Sequence, residues 1–330
     1  MRLIDVLIRK QNNFDLLRLL CSLLVITGHA VPLQDAPPQY TKYVAYSNTS
    51  LDRIGVLLFF FLSGLLVTSS LSRTSSLISF VMSRILRIWP ALIVNVLLLS
   101  LLFGPIFTNL SFSSYFINSS TYTFIFNNIL FNTQFTLPGV FTHIHYKFAV
   151  NGSLWTLKWE TLLYFTLVLC KWRFRSHLSL LFIIFLLALL SFFLFSSSVS
   201  GVIIAFFVGV LFYLYAHFIK FSFYYIILSI IFIATGLISS YYLSLLYLGL
   251  FMFSLYCFTS PLVMQIRLPI DISYGIYLWS FPIQQCSQLY FSDYTFFLRL
   301  LFTFFISCFF GVLSWYIIEK PFLKLKLFLR

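Results

Sequence analysis

The sequence predicts an all-α polytopic membrane protein, a bundle of about ten transmembrane helices with both termini in the cytoplasm. Three observations predict it. Of 330 residues, 61% are hydrophobic, 21% aromatic and 9% charged, against the roughly 25% charged residues of a soluble domain. Apolar runs of spanning length recur along the whole chain. Basic residues gather on alternate sides of those runs. Because Phe and Leu extend from end to end, residues 1–330 read as a single integral-membrane domain, and no separate soluble domain is expected.

A spanning helix needs about 20 mostly apolar residues. That window selects runs near 14–32, 51–71, 87–107, 151–170, 178–196, 200–217, 222–240, 242–260, 270–290 and 296–318. The start, Met1–Lys10 before an apolar run, resembles a signal peptide, but no small-residue cleavage site follows, so the first helix reads as retained. With the N-terminus inside, the inner segments hold fifteen basic residues: Arg2, Arg9, Lys10, Arg73, Arg84, Arg87, Lys171, Arg173, Arg175, Lys220, Arg267, Lys320, Lys324, Lys326 and Arg330. The outer segments hold five, Lys42, Arg53, Lys147, Lys158 and Arg299. This asymmetry is the positive-inside pattern. It also accounts for the formal net charge of +13, which in a soluble chain would point to nucleic acid. No basic run interleaved with aromatics marks such a surface, so nucleic acid is not an expected partner and the lipid bilayer is.

Cys21, Cys170, Cys257, Cys286 and Cys308 lie in or beside apolar runs, form no CxxC pair and read as small packing residues. The pair His143 and His145 lacks a third ligand nearby in sequence, so no metal site is expected. Sequons at Asn48, Asn109, Asn118 and Asn151 carry meaning only in a eukaryotic secretory pathway. The outer segment 108–150 is rich in Asn, Thr, Ser, Tyr and Phe. A connection this long without strong helical periodicity is commonly functional or disordered. Its composition suits a sugar-contacting lid and equally an aromatic membrane interface. No internal repeat or inverted pair of broken helices of the transporter kind is found.

Charged residues inside spans are costly and are functional candidates by default. In the first helix Arg18 and His29 are eleven residues apart, three helical turns, which puts them on one face about 16 Å apart along the axis. Asp15 and Ser22 extend that stripe, and Asp15 can pair with Arg18 at i,i+3. A lone histidine is often a hydrogen-bonded packing residue. The stripe and the depth favour a catalytic one, since imidazole removes a proton from a hydroxyl near neutral pH.

Arg84 and Arg87, in the inner loop ahead of the third helix, share a face at i,i+3. They set topology or clamp an anionic donor such as a coenzyme A phosphate, which the guanidinium fork grips well. Glu160 is one of two glutamates in the chain and falls within the fourth helix after Trp155. It requires a partner, for which Lys158 and a protonated His29 are candidates, and Tyr164 lies one turn further on the same face. Tyr274 and Tyr277 share a face of the ninth helix and either donate hydrogen bonds into a polar cavity or belong to an interfacial aromatic belt.

Six segments in order resemble the acyltransferase family 3 membrane proteins, typified by bacterial polysaccharide O-acetyltransferases. They are Arg18 with Gly28-His29-Ala30 at R-x10-H spacing, Phe59 to Gly64, Arg84-x-x-Arg87-Ile88-Trp89-Pro90, Gly152 to Leu157 leading to Glu160, Ile272 to Trp279, and Ile318 to Phe322. The resemblance implies a bacterial inner-membrane, multi-pass enzyme transferring an acyl group, usually acetyl from acetyl-CoA as co-substrate with no bound cofactor. The acceptor is a hydroxyl of a cell-surface polysaccharide such as an O-antigen, or of its lipid-linked precursor. By likeness His29 is the catalytic histidine, Arg18 and Glu160 its charged companions, and Arg84 and Arg87 the acyl-CoA arginines. Ser22, Trp155, Tyr164, Tyr274 and Tyr277 are substrate or cavity candidates. Direct transfer and an acyl-histidine intermediate both fit. Two departures stand out: Ser280 where many relatives carry a histidine, and Lys158-Trp159 where small or proline residues are usual. A stand-alone form without a hydrolase-like domain is expected. The rival reading is a transporter or flippase of a lipid-linked sugar, which explains the spans and the polar stripe but gives no reason for paired arginines at the inner mouth.

Overall fold

In a computed structural model of the chain, the described residues are 1–9, 12–41, 49–74, 76–173, 177–266 and 268–326. Lys10, Lys42, Asn48, Arg175, Arg267 and Arg330, named above for orientation or as a sequon, lie outside them. Among the described residues the named elements are all helical, and extended pairing is limited to isolated bridges such as Arg2–Lys220, Thr108–Val140 and Thr136–Ala149.

The helices are α1 (Leu3–Arg9), α2 (Phe14–Leu33), α3 (Leu51–Arg73), α4 (Leu77–Leu98), α5 (Phe112–Ile117), α6 (Ser119–Ile129), α7 (Trp155–Arg173), α8 (His177–Leu194), α9 (Ser197–Leu214), α10 (Phe223–Ile238), α11 (Leu243–Cys257), α12 (Ser273–Tyr290) and α13 (Phe296–Ser314). A helix lies over each apolar run selected from the sequence. Among the described residues, five helical runs are long and apolar enough to cross a membrane: Phe14–Leu33, Leu51–Arg73, Leu77–Phe107, Ser197–Leu214 and Phe296–Lys324.

Three boundaries differ from expectation. The third helix begins at Leu77 rather than near 87, because Phe80, Ser83, Ile88, Ala91, Leu92, Asn95 and Val96 already form one buried stripe at helical spacing. It runs on through a π turn, Leu99–Phe103, to Phe107. Arg84 and Arg87 therefore lie within a helix, not in a loop. The fourth helix starts at Trp155, four residues late, because the Asn151 side chain accepts from the Ser153 N–H at 3.1 Å and turns the chain ahead of it. The segment 108–150, read as lacking helical periodicity, contains α5 and α6. Ser111 and Asn118 cap them by accepting from the N–H groups of Ser114 and Ser120. Both helices are short, so their periodicity is faint in sequence.

The chain divides into two compact units. The first comprises Met1–Cys21, Val44–Leu77 and Trp159–Pro269. Within it α3 packs along α9, and α10 along α11. The α3–α9 approach depends on glycine: a Cβ on Gly64 would collide with the Phe206 carbonyl, and one on Gly209 with the Phe61 carbonyl. Close backbone approach of this kind associates helices where lipid removes the hydrophobic driving force. Phe61 stacks flat on Phe251, ring centroids 4.5 Å apart. The side chain of Lys171 donates to the Leu71 carbonyl, tying α7 to α3.

The second unit comprises Ser22–Tyr43, Ile78–Lys158 and Ile270–Arg330. Here α12 packs on α13, and a buried apolar cluster of Leu92, Val96, Leu99, Tyr115, Phe124, Leu154, Leu157, Leu278 and Trp279 joins α4, α5, α6, α7 and α12. Its polar bonds are as specific. Asn151 donates to the Leu278 carbonyl at 2.9 Å, Asn95 donates to that carbonyl at 3.3 Å, and the Tyr115 hydroxyl donates to the Ser100 carbonyl at 2.8 Å. Buried amides and hydroxyls are retained in an apolar core when their bonds are made.

Candidate active site

Helix α2 carries Arg18 and His29, with the boundary between the units falling at Cys21 and Ser22. Its leading polar pair forms as expected, Arg18 donating to Asp15 at 2.8 Å. Ser22 is buried.

In the second unit His29 is partly buried, its ring edge-on to Phe281 at 5.6 Å between centroids. Phe281 is held against the backbone at Gly152, where a Cβ would enter the ring. One turn on from Phe281, Gln284 donates to the Ile26 carbonyl at 2.7 Å, one turn before His29. The histidine thus sits where α2 and α12 are pinned by a side-chain amide.

Arg87 projects toward two carboxylates. It donates to Asp271 at 2.6 Å and lies 3.5 Å from Glu319. Asp271 also accepts from the Ser273 hydroxyl at 2.6 Å at the start of α12, and Glu319 accepts from the Ser314 hydroxyl at 2.9 Å. The Glu319 side chain is 1% exposed. The Arg84 guanidinium lies over the Phe80 ring at 5.5 Å, and its Nε donates to the Ser83 hydroxyl at 3.4 Å.

Tyr274 donates to the Ile88 carbonyl at 2.9 Å. The Tyr277 hydroxyl donates to the Ser153 carbonyl at 2.6 Å and shares a 2.6 Å bond with Thr156. Both phenols are thus tied to backbone carbonyls, Tyr274 to α4 and Tyr277 to the segment before α7. These bonds join α12 to its neighbours in the second unit. Trp155 begins α7 and is partly buried.

In the first unit Glu160 accepts from the hydroxyls of Ser63 on α3, at 3.3 Å, and of Tyr164 one turn along α7. Ser63 and Tyr164 are themselves 3.2 Å apart, closing a three-membered polar group in which two hydroxyls serve one carboxylate oxygen. The Glu160–Tyr164 contact follows from i,i+4 spacing; Ser63 comes from 97 residues away and was missed as a partner. Its position in Phe59-Phe60-Phe61-Leu62-Ser63-Gly64, a hydroxyl in an aromatic run, was the available signal. Asp271 and Glu319 as partners of Arg87, and Phe281 and Gln284 beside His29, were also missed. No cluster of three metal-ligating side chains occurs among the described residues.

Residues 11–319 match the acyltransferase family 3, described as an acyltransferase domain. The chain belongs to this family. It is 34% identical over 155 residues to an O-acetyl transferase of Shigella phage Sf6, covering 47% of this chain and 44% of that protein. It is 42% identical over 92 residues to nodulation protein 10 of Rhizobium leguminosarum bv. viciae, 28% of this chain and 24% of that one. The matched stretches thus span less than half of either relative. No solved structure matches the chain. The family match takes in both units and the His29, Arg87 and Glu160 constellations alike.

Proposed function

We propose that the chain is an integral-membrane O-acyltransferase that moves acetyl from acetyl-CoA to a hydroxyl of a cell-surface polysaccharide or its lipid-linked precursor. The observation that carries this reading is the family match over residues 11–319, joined by the likeness to a phage O-acetyl transferase. The ten helices over the apolar runs cross the bacterial inner membrane with both termini inside, in accord with the basic asymmetry.

His29 is the general base. It takes the proton of the acceptor hydroxyl as that oxygen attacks the thioester carbonyl; the C–S bond breaks, and the departing thiolate receives the proton from the imidazolium. The products are a glycan ester and free coenzyme A. Arg18, on the same helix, and Glu160, which accepts from Ser63 and Tyr164, are the further charged residues that the family resemblance implies for activity. Arg84 meets the phosphates of the donor from the cytoplasm. Arg87, already joined to Asp271 and Glu319, supports it by fixing α4 against α12.

The test is reconstitution in proteoliposomes with acetyl-CoA and surface glycan purified from cells lacking the chain. Release of free coenzyme A and an acetyl mass increment on the glycan are expected, and both vanish in His29→Ala while the protein stays folded in the membrane. Retained acetylation in that variant overturns the role of His29. Glycan translocation without consumption of acetyl-CoA overturns the enzyme reading in favour of a flippase.

A further inference from the structure

Within the second unit, Phe281 is in ring contact with both Tyr146 and His29. The Tyr146 and Phe281 rings are 6.3 Å apart and those of Phe281 and His29 5.6 Å apart, both contacts edge-on at 78°. Phe281 is buried, and Tyr146 is 44% exposed. The backbone at Tyr146 is tied to α12. Gln285 donates to the Tyr146 carbonyl at 2.9 Å and to the Ala149 carbonyl at 2.6 Å. Beside it Gln284 donates to the Ile26 carbonyl at 2.7 Å, one turn from His29.

Only the NH2 end of a glutamine can donate to a carbonyl, so these bonds fix which way each amide faces. Gln284 and Gln285 are fully buried, and the Oε1 of each receives no hydrogen bond from the protein. Buried acceptors are normally satisfied. An orphaned amide acceptor bonded one turn from His29, and a half-exposed aromatic ring in contact with Phe281, match the two faces of a pyranose. Its C–H surface packs on an aromatic ring, and its hydroxyls donate to amide carbonyls.

We propose that Tyr146 and Gln284 form the acceptor subsite adjoining His29: Tyr146 stacks on the sugar ring, and Gln284 Oε1 accepts from a ring hydroxyl next to the one acylated. Gln285 is a positioning residue that holds the Tyr146 segment. The inference rests on the reading of His29 as the base of glycan acylation, and the ligand it names is a pyranose ring presented from the side of the 108–150 segment.

The test uses the full chain in proteoliposomes, with acetyl-CoA and the surface glycan of cells lacking the chain as probe, and reads KM for each substrate separately. Tyr146→Ala raises the acceptor KM about five- to tenfold and leaves the acetyl-CoA KM in place. Tyr146→Phe, which keeps the ring, recovers most of that loss. Gln284→Leu raises the acceptor KM as well. Because it also removes the bond to Ile26, its thermal unfolding is measured alongside, and the Tyr146 pair carries the test should it fail to fold. An acceptor KM within twofold of the unsubstituted chain in Tyr146→Ala overturns the subsite. So does a fall in kcat with both KM values unchanged, which is what a packing role predicts. Absence of acetyl transfer by the unsubstituted chain defeats the proposed function itself and is a different result.

Discussion

Replacing Arg87 by Met removes a guanidinium within bonding distance of Asp271, at 2.6 Å, and Glu319, at 3.5 Å. The side chains of Arg87, Asp271 and Glu319 are 24%, 13% and 1% exposed, so water relieves little of the loss. Removing one partner of a buried ion pair costs about 3–5 kcal/mol, because an uncompensated charge remains. Here two carboxylates lose that partner, Asp271 keeping the hydroxyl and N–H of Ser273 and Glu319 the Ser314 hydroxyl. The expected destabilisation is about 3–5 kcal/mol, read by titrating unfolding with SDS in mixed micelles and following helical circular dichroism. Neutralising all three groups in Arg87→Met/Asp271→Asn/Glu319→Gln recovers most of it, since a buried ionic group and a neutral one of similar shape are close in stability. A triple variant no more stable than Arg87→Met refutes the reasoning. The same proteins separate the two roles of Arg87. If it only fixes α4 against α12, the triple variant also recovers the acetyl-CoA KM. If it touches the donor, stability returns and the KM stays high.

Gly64→Leu drives a side chain into the Phe206 carbonyl and is expected to destabilise the α3–α9 contact by at least the about 1–3 kcal/mol of an overpacked core; unchanged SDS unfolding would refute the close-approach argument. Burial pushes the Tyr115 phenol up to about 12, against about 10 in the unfolded chain. The folded state thus holds its proton more tightly, so its contribution is fully present below pH 10 and is lost as the pH rises through 12. Tyr115→Phe should flatten stability over that interval, measured by unfolding at stepped pH, at the expense of the bond to the Ser100 carbonyl at lower pH.

Much of the architecture was legible because lipid leaves few choices. An apolar run of sufficient length must satisfy its backbone internally, and helices lie where those runs were read. What escaped was governed by local bonds with little periodic signature: the turn made by Asn151, the caps at Ser111 and Asn118, and the extension of α4 back to Leu77. Side-chain pairs at i,i+3 and i,i+4 were readable for the same reason. Asp15 meets Arg18, and Glu160 meets Tyr164.

Long-range partners were not readable by spacing, and Arg84 and Arg87 make the reason plain. Three residues apart on one helix, they invite a common role, but 300° of rotation still leaves them about 60° apart. That is enough to direct one over Phe80 and the other to carboxylates 184 and 232 positions along the chain. A different accounting reaches further than spacing. The chain has eight acidic residues, and a carboxylate placed in or beside an apolar helix is a demand for a partner. Asp271 precedes α12, and Glu319 closes the π turn after α13; Glu319 lies within one of the family-like segments and Asp271 one residue ahead of another. Matching such carboxylates to intramembrane arginines nominates Arg87 from sequence. The same demand, applied to neutral groups, is what singles out Gln284: its amide is anchored at one end and lacks a donor at the other. A buried polar group with its bonds complete speaks for packing, and one left half-satisfied beside a candidate base speaks for a ligand.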